Sequence, residues 1–391
     1  MPNKTVAVVA LMAVFSLAVC FIILGSISSD LQKALNIDNA GFGSLIMALF
    51  LTSCVVQLFV GPAVDRFGYK PLAILGFVVT SASIFLLAYA ASFGVAFVAC
   101  MLLGVGAMSL NTVGNTLIPV VLFEGKDPAR ASNFGNGFFG LGYVAAPFLF
   151  TLFLQKMGMS YRASLSVFGF LVLVFLLFSL GARYPKVQIG FQFGKALSVL
   201  GKGPVLIAAL ALFCYMSLEV SMGSWIRKLM EELFGKGSPD SSFWAGMVLS
   251  LFGAAMMVGR FISSAIKNLT AIGVRVIAGA AVVSLIGILM MILTQSAGIA
   301  IVAVVVTGLA FAPIFPTVVG ITFAKFDSSL YGSIFGIIFA VGLLGGTFVP
   351  KYIGNLSAEG SVQSSLTIAA VMAGILIVIS LLMAVTSKAR R

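Results

Sequence analysis

The chain has 391 residues, of which 61% are apolar and only 9% are charged, and its mean hydropathy is +1.17. Soluble domains are nearer one-half apolar and one-quarter charged, so this composition excludes a soluble globular protein. Apolar runs of about 20 residues recur from end to end, and each is long enough to cross the hydrocarbon core of a bilayer as a helix.

Apolar windows between polar breaks predict twelve membrane-spanning helices. The predicted spans 1 to 12 cover residues 5–29, 41–61, 71–91, 94–122, 132–155, 161–182, 204–227, 242–265, 271–293, 298–323, 331–350 and 364–386. The most charged connection lies at the middle of the chain, so we predict a six-helix bundle over 1–182, a cytoplasmic linker over 183–203 and a second six-helix bundle over 204–391. We therefore expect an all-α membrane protein without a separate soluble catalytic domain.

The two predicted bundles share landmarks at an offset of about 200 residues, which indicates an internal duplication. Pro119 in span 4 corresponds to Pro316 in span 10, and Gly61 at the end of span 2 corresponds to Gly259 in span 8. Because each bundle has an even number of spans, both enter the membrane in the same orientation. We therefore expect two parallel repeats, with a binding site between them near the middle of the bilayer.

The net charge of +12 follows the predicted membrane topology. Most of the 23 Lys and Arg residues fall in loops and ends on the side that holds both chain termini, and the positive-inside rule predicts that this side is cytoplasmic. The basic balance therefore indicates topology rather than a nucleic-acid partner. Short loops and the lack of a leader favour a multi-pass protein of the bacterial inner membrane. We expect a monomer whose partners are a small-molecule substrate and the lipid bilayer.

The loop after span 2 carries an acid–base pair between glycines. It runs from Gly61 to Lys70 as Gly-Pro-Ala-Val-Asp-Arg-Phe-Gly-Tyr-Lys. Charge-assisted hydrogen bonds from Asp65 and Arg66 can lock neighbouring helix ends and break when the two halves rock, so we predict a conformational gate here, with Arg260 as its counterpart in the second bundle. The loop and the twelve-span layout resemble the major facilitator superfamily, and this resemblance implies that fold and a transport function.

Glu219 is the one acidic residue that falls inside a predicted span, near the middle of span 7. An unpaired carboxylate at that depth costs several kcal/mol to ionise, so it is protonated, solvated by a cavity, or bound to a cation or substrate. No Lys or Arg is predicted inside the membrane to neutralise it. We therefore predict that Glu219 is a proton or substrate site, the alternative being a hydrogen bond between two helices.

Further polar side chains in the spans are candidates for binding a polyhydroxyl ligand. On span 7, Tyr215 shares a helical stripe with Glu219, and Trp225 flanks that stripe at its outer end. Asn111 and Asn115 lie one turn apart on span 4, and Ser53 and Gln57 do so on span 2. Their amides offer both donors and acceptors, although each could equally be a hydrogen bond between helices.

Three stretches, 212–225, 258–263 and 312–317, resemble the fucose/glucose-type sugar:proton symporter branch of the superfamily. This resemblance implies uptake of a monosaccharide, with Glu219 and Asn115 at family positions. The branch has acids in spans 1 and 4 where this chain has Gly25 and Asn111, so either Glu219 is the remaining candidate for proton coupling or transport is not coupled to protons.

We expect an alternating-access secondary transporter for a small polar solute. The alternative is an efflux carrier for amphipathic compounds, favoured by glycines and a proline in span 5 and by 35 phenylalanines. The chain has no His, which excludes histidine general bases and His-based metal sites, and it has no phosphate-binding loop of the ATPase type. We therefore predict no enzymatic activity, no metal site and no cofactor besides a coupling proton or other cation.

Overall fold

The structure is a computed structural model that describes residues 4–122, 128–185, 201–235, 240–266, 269–326 and 331–388. Every regular element within these ranges is a helix. Twelve helical segments are long and apolar enough to cross a membrane. The predicted all-α fold with twelve membrane-spanning helices is therefore confirmed.

The first half of the chain forms helices α1 Lys4–Ser26, α2 Ser28–Leu35, α3 Asn39–Phe67, α4 Tyr69–Ala88, α5 Phe93–Val121, α6 Pro128–Gln155 and α7 Tyr161–Gly181. The second half forms α8 Gly203–Phe234, α9 Ser241–Ser264, α10 Leu269–Leu293, α11 Ala297–Phe311, α12 Ile314–Phe323, α13 Tyr331–Glu359, α14 Val362–Ser365 and α15 Thr367–Lys388. Most of the predicted linker 183–203 lies outside the described residues. We call the membrane end where α1 begins and α15 ends the terminal end, and the opposite one the far end.

Short polar side chains begin several of these helices by capping free backbone N–H groups. Asp38 accepts a hydrogen bond of 2.7 Å from the Gly41 nitrogen at the start of α3. Ser160 accepts one of 3.2 Å from the Ala163 nitrogen at the start of α7. Between α3 and α4, Gly68 has φ +81°, a conformation that favours glycine because it has no Cβ. The loop between spans 2 and 3 can therefore be a single residue.

Several predicted helix ends are wrong. Span 7 was predicted to end at residue 227 and span 11 at 350, but α8 continues to Phe234 and α13 to Glu359. The charged residues that suggested helix ends there are bonded to neighbouring helices, so they do not end the helices. Span 1 ends early, at Ser26, and a separate short helix follows.

Span 10 was predicted to be continuous, but it consists of α11 and α12, with a break at Ala312 and Pro313. Proline has no backbone N–H, and its ring crowds the preceding turn, so it interrupts a helix where neighbouring helices can support the break. The helices on the two sides of the break, α11 and α12, pack on α8, and α12 also contacts α13.

The two halves meet where α3 packs on α13, α6 on α9 and α1 on α8. Glycines allow the closest approaches. A Cβ atom added to Gly25 would overlap the carbonyl group of Gly223, so α1 and α8 touch backbone to backbone. Near the same end, a Cβ on Gly43 would lie 3.2 Å from the Cα of Lys351 and 3.4 Å from that of Gly354. Small residues at such crossings let helices gain van der Waals contact in lipid.

This packing also accounts for the glycine at position 25. In this arrangement no side chain fits between α1 and α8 at that level. An acidic side chain there would require the two helices to separate.

We expect Gly25→Ala to lower the melting temperature of the purified protein, because an extra methyl group in a tight crossing costs about 1–3 kcal/mol. Gly279→Ala is the matched control, since Gly279 lies inside α10 and its Cβ would meet nothing within 4 Å. The control variant should melt at the wild-type temperature or slightly above it. Equal melting temperatures for the two variants would contradict the close α1–α8 crossing.

Candidate functional site

Glu219 lies near the middle of α8 and forms an ion pair with Arg260 of α9. The distance between Arg260 Nη2 and Glu219 Oε1 is 3.5 Å, and the side chains are 12% and 6% exposed. The prediction that no cation inside the membrane neutralises Glu219 is therefore wrong. Arg260 had been assigned to a terminal-end loop and gate because it lies close to the end of span 8. It belongs to the last turns of α9, and its long side chain carries the guanidinium to α8.

Aromatic side chains from both halves surround this ion pair. The Arg260 guanidinium lies 5.0 Å from the centre of the Phe139 ring, which is a cation–π arrangement. Phe139 belongs to α6 and stacks on Tyr143 with ring centres 5.3 Å apart. The Tyr215 hydroxyl lies close to both charges, yet it forms no hydrogen bond of good geometry with any described residue. The ion pair thus lies at the contact between α6 of the first half and α8 and α9 of the second.

A chain of aromatic rings continues from Tyr215 into the second half. The Tyr215 ring lies 6.1 Å from the ring centres of both Phe311 and Phe315. Phe315 in turn lies 5.9 Å from Phe339. Phe311 and Phe315 flank the break between α11 and α12. These rings give the ion pair an apolar boundary, which strengthens its electrostatic interactions.

Three of the predicted binding residues form a hydrogen-bonded group in the first half, which we call the amide cluster: Gln57, Asn111 and Asn115. The Asn111 amide nitrogen donates to Gln57 Oε1 over 3.1 Å. The Asn115 amide nitrogen donates to Asn111 Oδ1 over 2.8 Å. The Gln57 nitrogen and the Asn115 side-chain oxygen have no hydrogen bond to another described residue. The cluster therefore retains a donor and an acceptor for a ligand.

Ser53 does not join the amide cluster. It is fully buried against α5, where a Cβ on Gly104 would lie 3.1 Å from the Ser53 hydroxyl oxygen. That hydroxyl has no hydrogen-bond partner among the described residues. Packing between α3 and α5 explains its position, and its predicted role in ligand binding remains untested.

Arg227 forms the core of a polar group at the far end, which we call the far-end latch: Ser26, Asp30, Arg227, Glu231 and Ser242. Arg227 is 1% exposed and donates to Asp30 Oδ2 over 2.8 Å and to the Ser242 hydroxyl over 2.9 Å. It also donates to the Ser26 carbonyl oxygen, and its Nε lies 3.4 Å from Glu231 Oε1. The latch therefore ties α1 and α2 of the first half to α8 and α9 of the second.

Two further bonds close the far end beside the latch. The Trp225 indole nitrogen donates to the Pro350 carbonyl oxygen over 3.1 Å, and its ring meets Phe42 edge-on with centres 5.3 Å apart. Lys351 donates to the Ala40 carbonyl oxygen over 2.7 Å. Trp225, predicted to flank the solute path, is thus fully buried among α3, α8 and α13. In this conformation it belongs to the far-end closure.

Sequence reasoning missed the latch because Asp30 and Arg227 fall at the ends of predicted spans 1 and 7, where charged residues are expected to face water. Their separation along the chain is 197 residues, so no local pattern relates them. The one available signal was the pairing of Arg227 with Glu231 at a spacing of one helical turn.

The predicted terminal-end gate is described only in part. Arg66 is exposed in the last turn of α3, with its guanidinium 5.3 Å from the centre of the Phe67 ring. The Asp65 side chain lies outside the described residues, so a gate formed by Asp65 and Arg66 remains a prediction.

Within the described ranges, no three His, Cys, Asp or Glu residues lie close enough together to hold a metal ion. At the far end, Asp30 and Glu231 are engaged by Arg227.

The chain matches the family model described as Major Facilitator Superfamily over residues 9–350. Its fold is similar to that of the E. coli fucose:proton symporter, with a TM-score of 0.66 and 18% sequence identity over 96% of this chain and 97% of that one.

The curated relatives with significant similarity include amine, probable acetylcholine and putative glucose/galactose transporters. The chromaffin granule amine transporter of Rattus norvegicus is 26% identical over 61% of this chain and 47% of its own length. A putative glucose/galactose transporter of Helicobacter pylori is 27% identical over 53% of this chain and 54% of its own length. The chain thus aligns with about half the length of the curated relatives it matches.

We expect Arg227→Gln to expose the far end. A Ser26→Cys reporter, buried in the latch, should react with a membrane-impermeant maleimide at least tenfold faster in this background. The loss of a buried ion pair destabilises the closed end, and a tenfold change in the open population requires only about 1.4 kcal/mol. Lys33→Gln, which removes an exposed charge at the same end, serves as the control. Equal labelling rates in the two backgrounds would show that Arg227 does not hold this end closed.

Proposed function

The chain belongs to the major facilitator superfamily, and we propose that it is a secondary active transporter that carries a small polar solute, most simply a sugar, together with protons by alternating access. The observation that carries this proposal is the ion pair between Glu219 and Arg260, buried where α6 of the first half meets α8 and α9 of the second. Membrane-embedded ionisable residues commonly mark proton and substrate pathways.

The ion pair provides a physical basis for proton coupling. When Glu219 is ionised, it neutralises Arg260 at 3.5 Å. A proton on Glu219 removes that attraction and leaves a cation in an apolar site, which favours either solute binding or a rearrangement of the surrounding helices. Proton occupancy of Glu219 would thus change the relative stability of the conformations.

The contacts at the far end support alternating access. The far-end latch and the Trp225 and Lys351 bonds all join the two halves, so opening that end requires them to break together. Such groups of interface bonds give two discrete states rather than a gradual deformation. We propose that Asp65 and Arg66 act in the corresponding way at the terminal end.

The amide cluster and the relatives support a sugar as solute. Gln57 and Asn115 retain a donor and an acceptor of the kind that hydroxyl groups require. The fucose:proton symporter has the same fold, and the putative glucose/galactose transporter is a sequence relative. We propose that Gln57, Asn111 and Asn115 bind solute hydroxyls once the two halves separate around them.

A second candidate function is efflux of amphipathic cations. The Tyr215 hydroxyl lies close to Glu219, and the Phe311 and Phe315 rings pack against the Tyr215 ring. Aromatic faces combined with a carboxylate attract organic cations. The similarity to an amine transporter points the same way. In this function an organic cation would take the place of Arg260 beside Glu219.

We also propose that the protein works as a monomer in a bacterial inner membrane with both termini in the cytoplasm. The positive-inside distribution of Lys and Arg supports this orientation. We assign it no enzymatic activity, no nucleic-acid partner and no cofactor besides the coupling proton.

We expect Glu219→Gln to abolish solute accumulation driven by a pH gradient in proteoliposomes, because an amide cannot exchange a proton. Exchange of labelled for unlabelled solute should persist, since it needs no net proton movement. Glu359→Gln makes the same chemical change at an exposed position and should accumulate solute normally. Accumulation by the Glu219→Gln variant at the wild-type level would contradict proton coupling at this residue.

A further inference from the structure

The Arg260 guanidinium has more hydrogen-bond donors than the described structure satisfies. Arginine carries five N–H donors in a planar fork. Among the described residues, the only acceptor with good hydrogen-bond geometry is Glu219 Oε1, at 3.5 Å from one terminal nitrogen. The Phe139 ring covers one face of the guanidinium but accepts no conventional hydrogen bond. The Tyr215 hydroxyl lies close to the guanidinium without forming a hydrogen bond of good geometry, so part of the fork is available to another acceptor.

The contact with Glu219 is also weaker than a dedicated structural ion pair. Charge-assisted bonds between arginine and carboxylate are commonly about 2.7–2.9 Å long and often bidentate. The pair has one contact at 3.5 Å, whereas Arg227 in the far-end latch reaches Asp30 at 2.8 Å and has several further acceptors. Arg227 is bonded as a structural arginine, and Arg260 is not.

We propose that Arg260 binds a carboxylate of the transported solute, so that the solute class is a sugar acid or a similar hydroxylated carboxylate. This inference rests on the proposed function and names the substrate class of the same site. A carboxylate has two oxygens at the spacing that the guanidinium fork matches. The rings of Tyr215 and Phe139 would flank the carbon skeleton, and hydroxyl groups would remain for amides such as those of Gln57 and Asn115.

In this proposal a proton and the solute carboxylate enter the site together, because the solute replaces Glu219 as the partner of Arg260. A proton from the medium forms an O–H bond with a carboxylate oxygen of Glu219, and the ion pair with Arg260 breaks. The solute carboxylate then forms the new ion pair with Arg260, so one proton and one anion enter together and the net charge of the site is unchanged. When the solute leaves, Glu219 releases its proton and pairs with Arg260 again.

Few other titratable groups bear on this exchange. Tyr215 on α8 and Tyr143 on α6 face Glu219 together with Arg260 on α9. Both phenols are fully buried beside the ion pair, whereas the Glu219 carboxylate contacts the guanidinium directly. Glu219 is therefore the group whose protonation controls the availability of Arg260.

The test measures binding to the purified full chain from ligand-dependent thermal stabilisation. The probes are D-galacturonate and D-gluconate, with D-galactose and D-glucose as neutral counterparts. The acids should bind at least about tenfold more tightly than the neutral sugars, since a hydrogen-bonded charge pair is gained. Their affinity should rise in mildly acidic buffer, where more Glu219 is protonated.

Three variants separate this proposal from a merely structural role of the pair. In neutral buffer, Glu219→Gln should bind the acids roughly tenfold more tightly than wild type, because no Glu219 carboxylate competes with the solute for Arg260. Its affinity should not depend on pH. Arg260→Gln should lose the acids, and Arg260→Lys should restore part of the affinity because it keeps the charge. A structural ion pair alone predicts no gain of affinity in Glu219→Gln.

The outcomes distinguish the two proposals. Tight binding of neutral sugars that Arg260→Gln leaves intact would overturn the sugar-acid inference while the proposed sugar transport stands. A response to amphipathic amines alone would overturn both. If Arg260→Gln does not fold, the Glu219→Gln variant still decides, since unchanged affinity for the acids there contradicts competition for Arg260.

Discussion

The ion pair between Glu219 and Arg260 is the interaction on which the functional account depends. A charge inside a bilayer must be neutralised, solvated or discharged by a proton, and the described structure buries Glu219 and Arg260 together at the contact of its two halves. Because each charge is the main partner of the other, a change at one necessarily affects the other. A proton or an anion that enters the site therefore alters the balance of forces between α6, α8 and α9.

Under the proposed mechanism, packing at the far end would convert that balance into discrete states. The contact of Gly25 with Gly223 and that of Gly43 with Gly354 bring backbones together at one end of the membrane, and the buried Arg227 adds bonds to both halves. Such contacts are short-ranged, so they are made fully or lost together. Both terminal nitrogens of Arg227 donate hydrogen bonds within the protein, which makes it a structural element of the closed end. In Arg260 only one terminal nitrogen does so with good geometry among the described residues, which makes it available for ligand binding.

Much of the fold could be predicted from the sequence because the bilayer imposes a simple length and hydropathy rule on each helix. The same rule singled out Glu219, and helical spacing placed Asn111 beside Asn115. Partners distant along the chain could not be predicted, because one sequence carries no information about which helix faces meet. Arg260 lies 41 residues from Glu219, and its position near a helix end hid the reach of its side chain. The break at Pro313 was likewise ambiguous, since membrane helices often tolerate proline.

The most direct test of the central claim is the proton stoichiometry of solute binding. The sugar or sugar acid that stabilises the purified protein most would be added in weakly buffered solution while the pH is recorded. The solute is proposed to bind when Glu219 is protonated, so wild-type protein should take up to one proton per solute bound and the pH should rise. The Glu219→Gln variant should bind solute without a pH change. Proton uptake of equal size in the variant, or none in the wild type, would contradict the account.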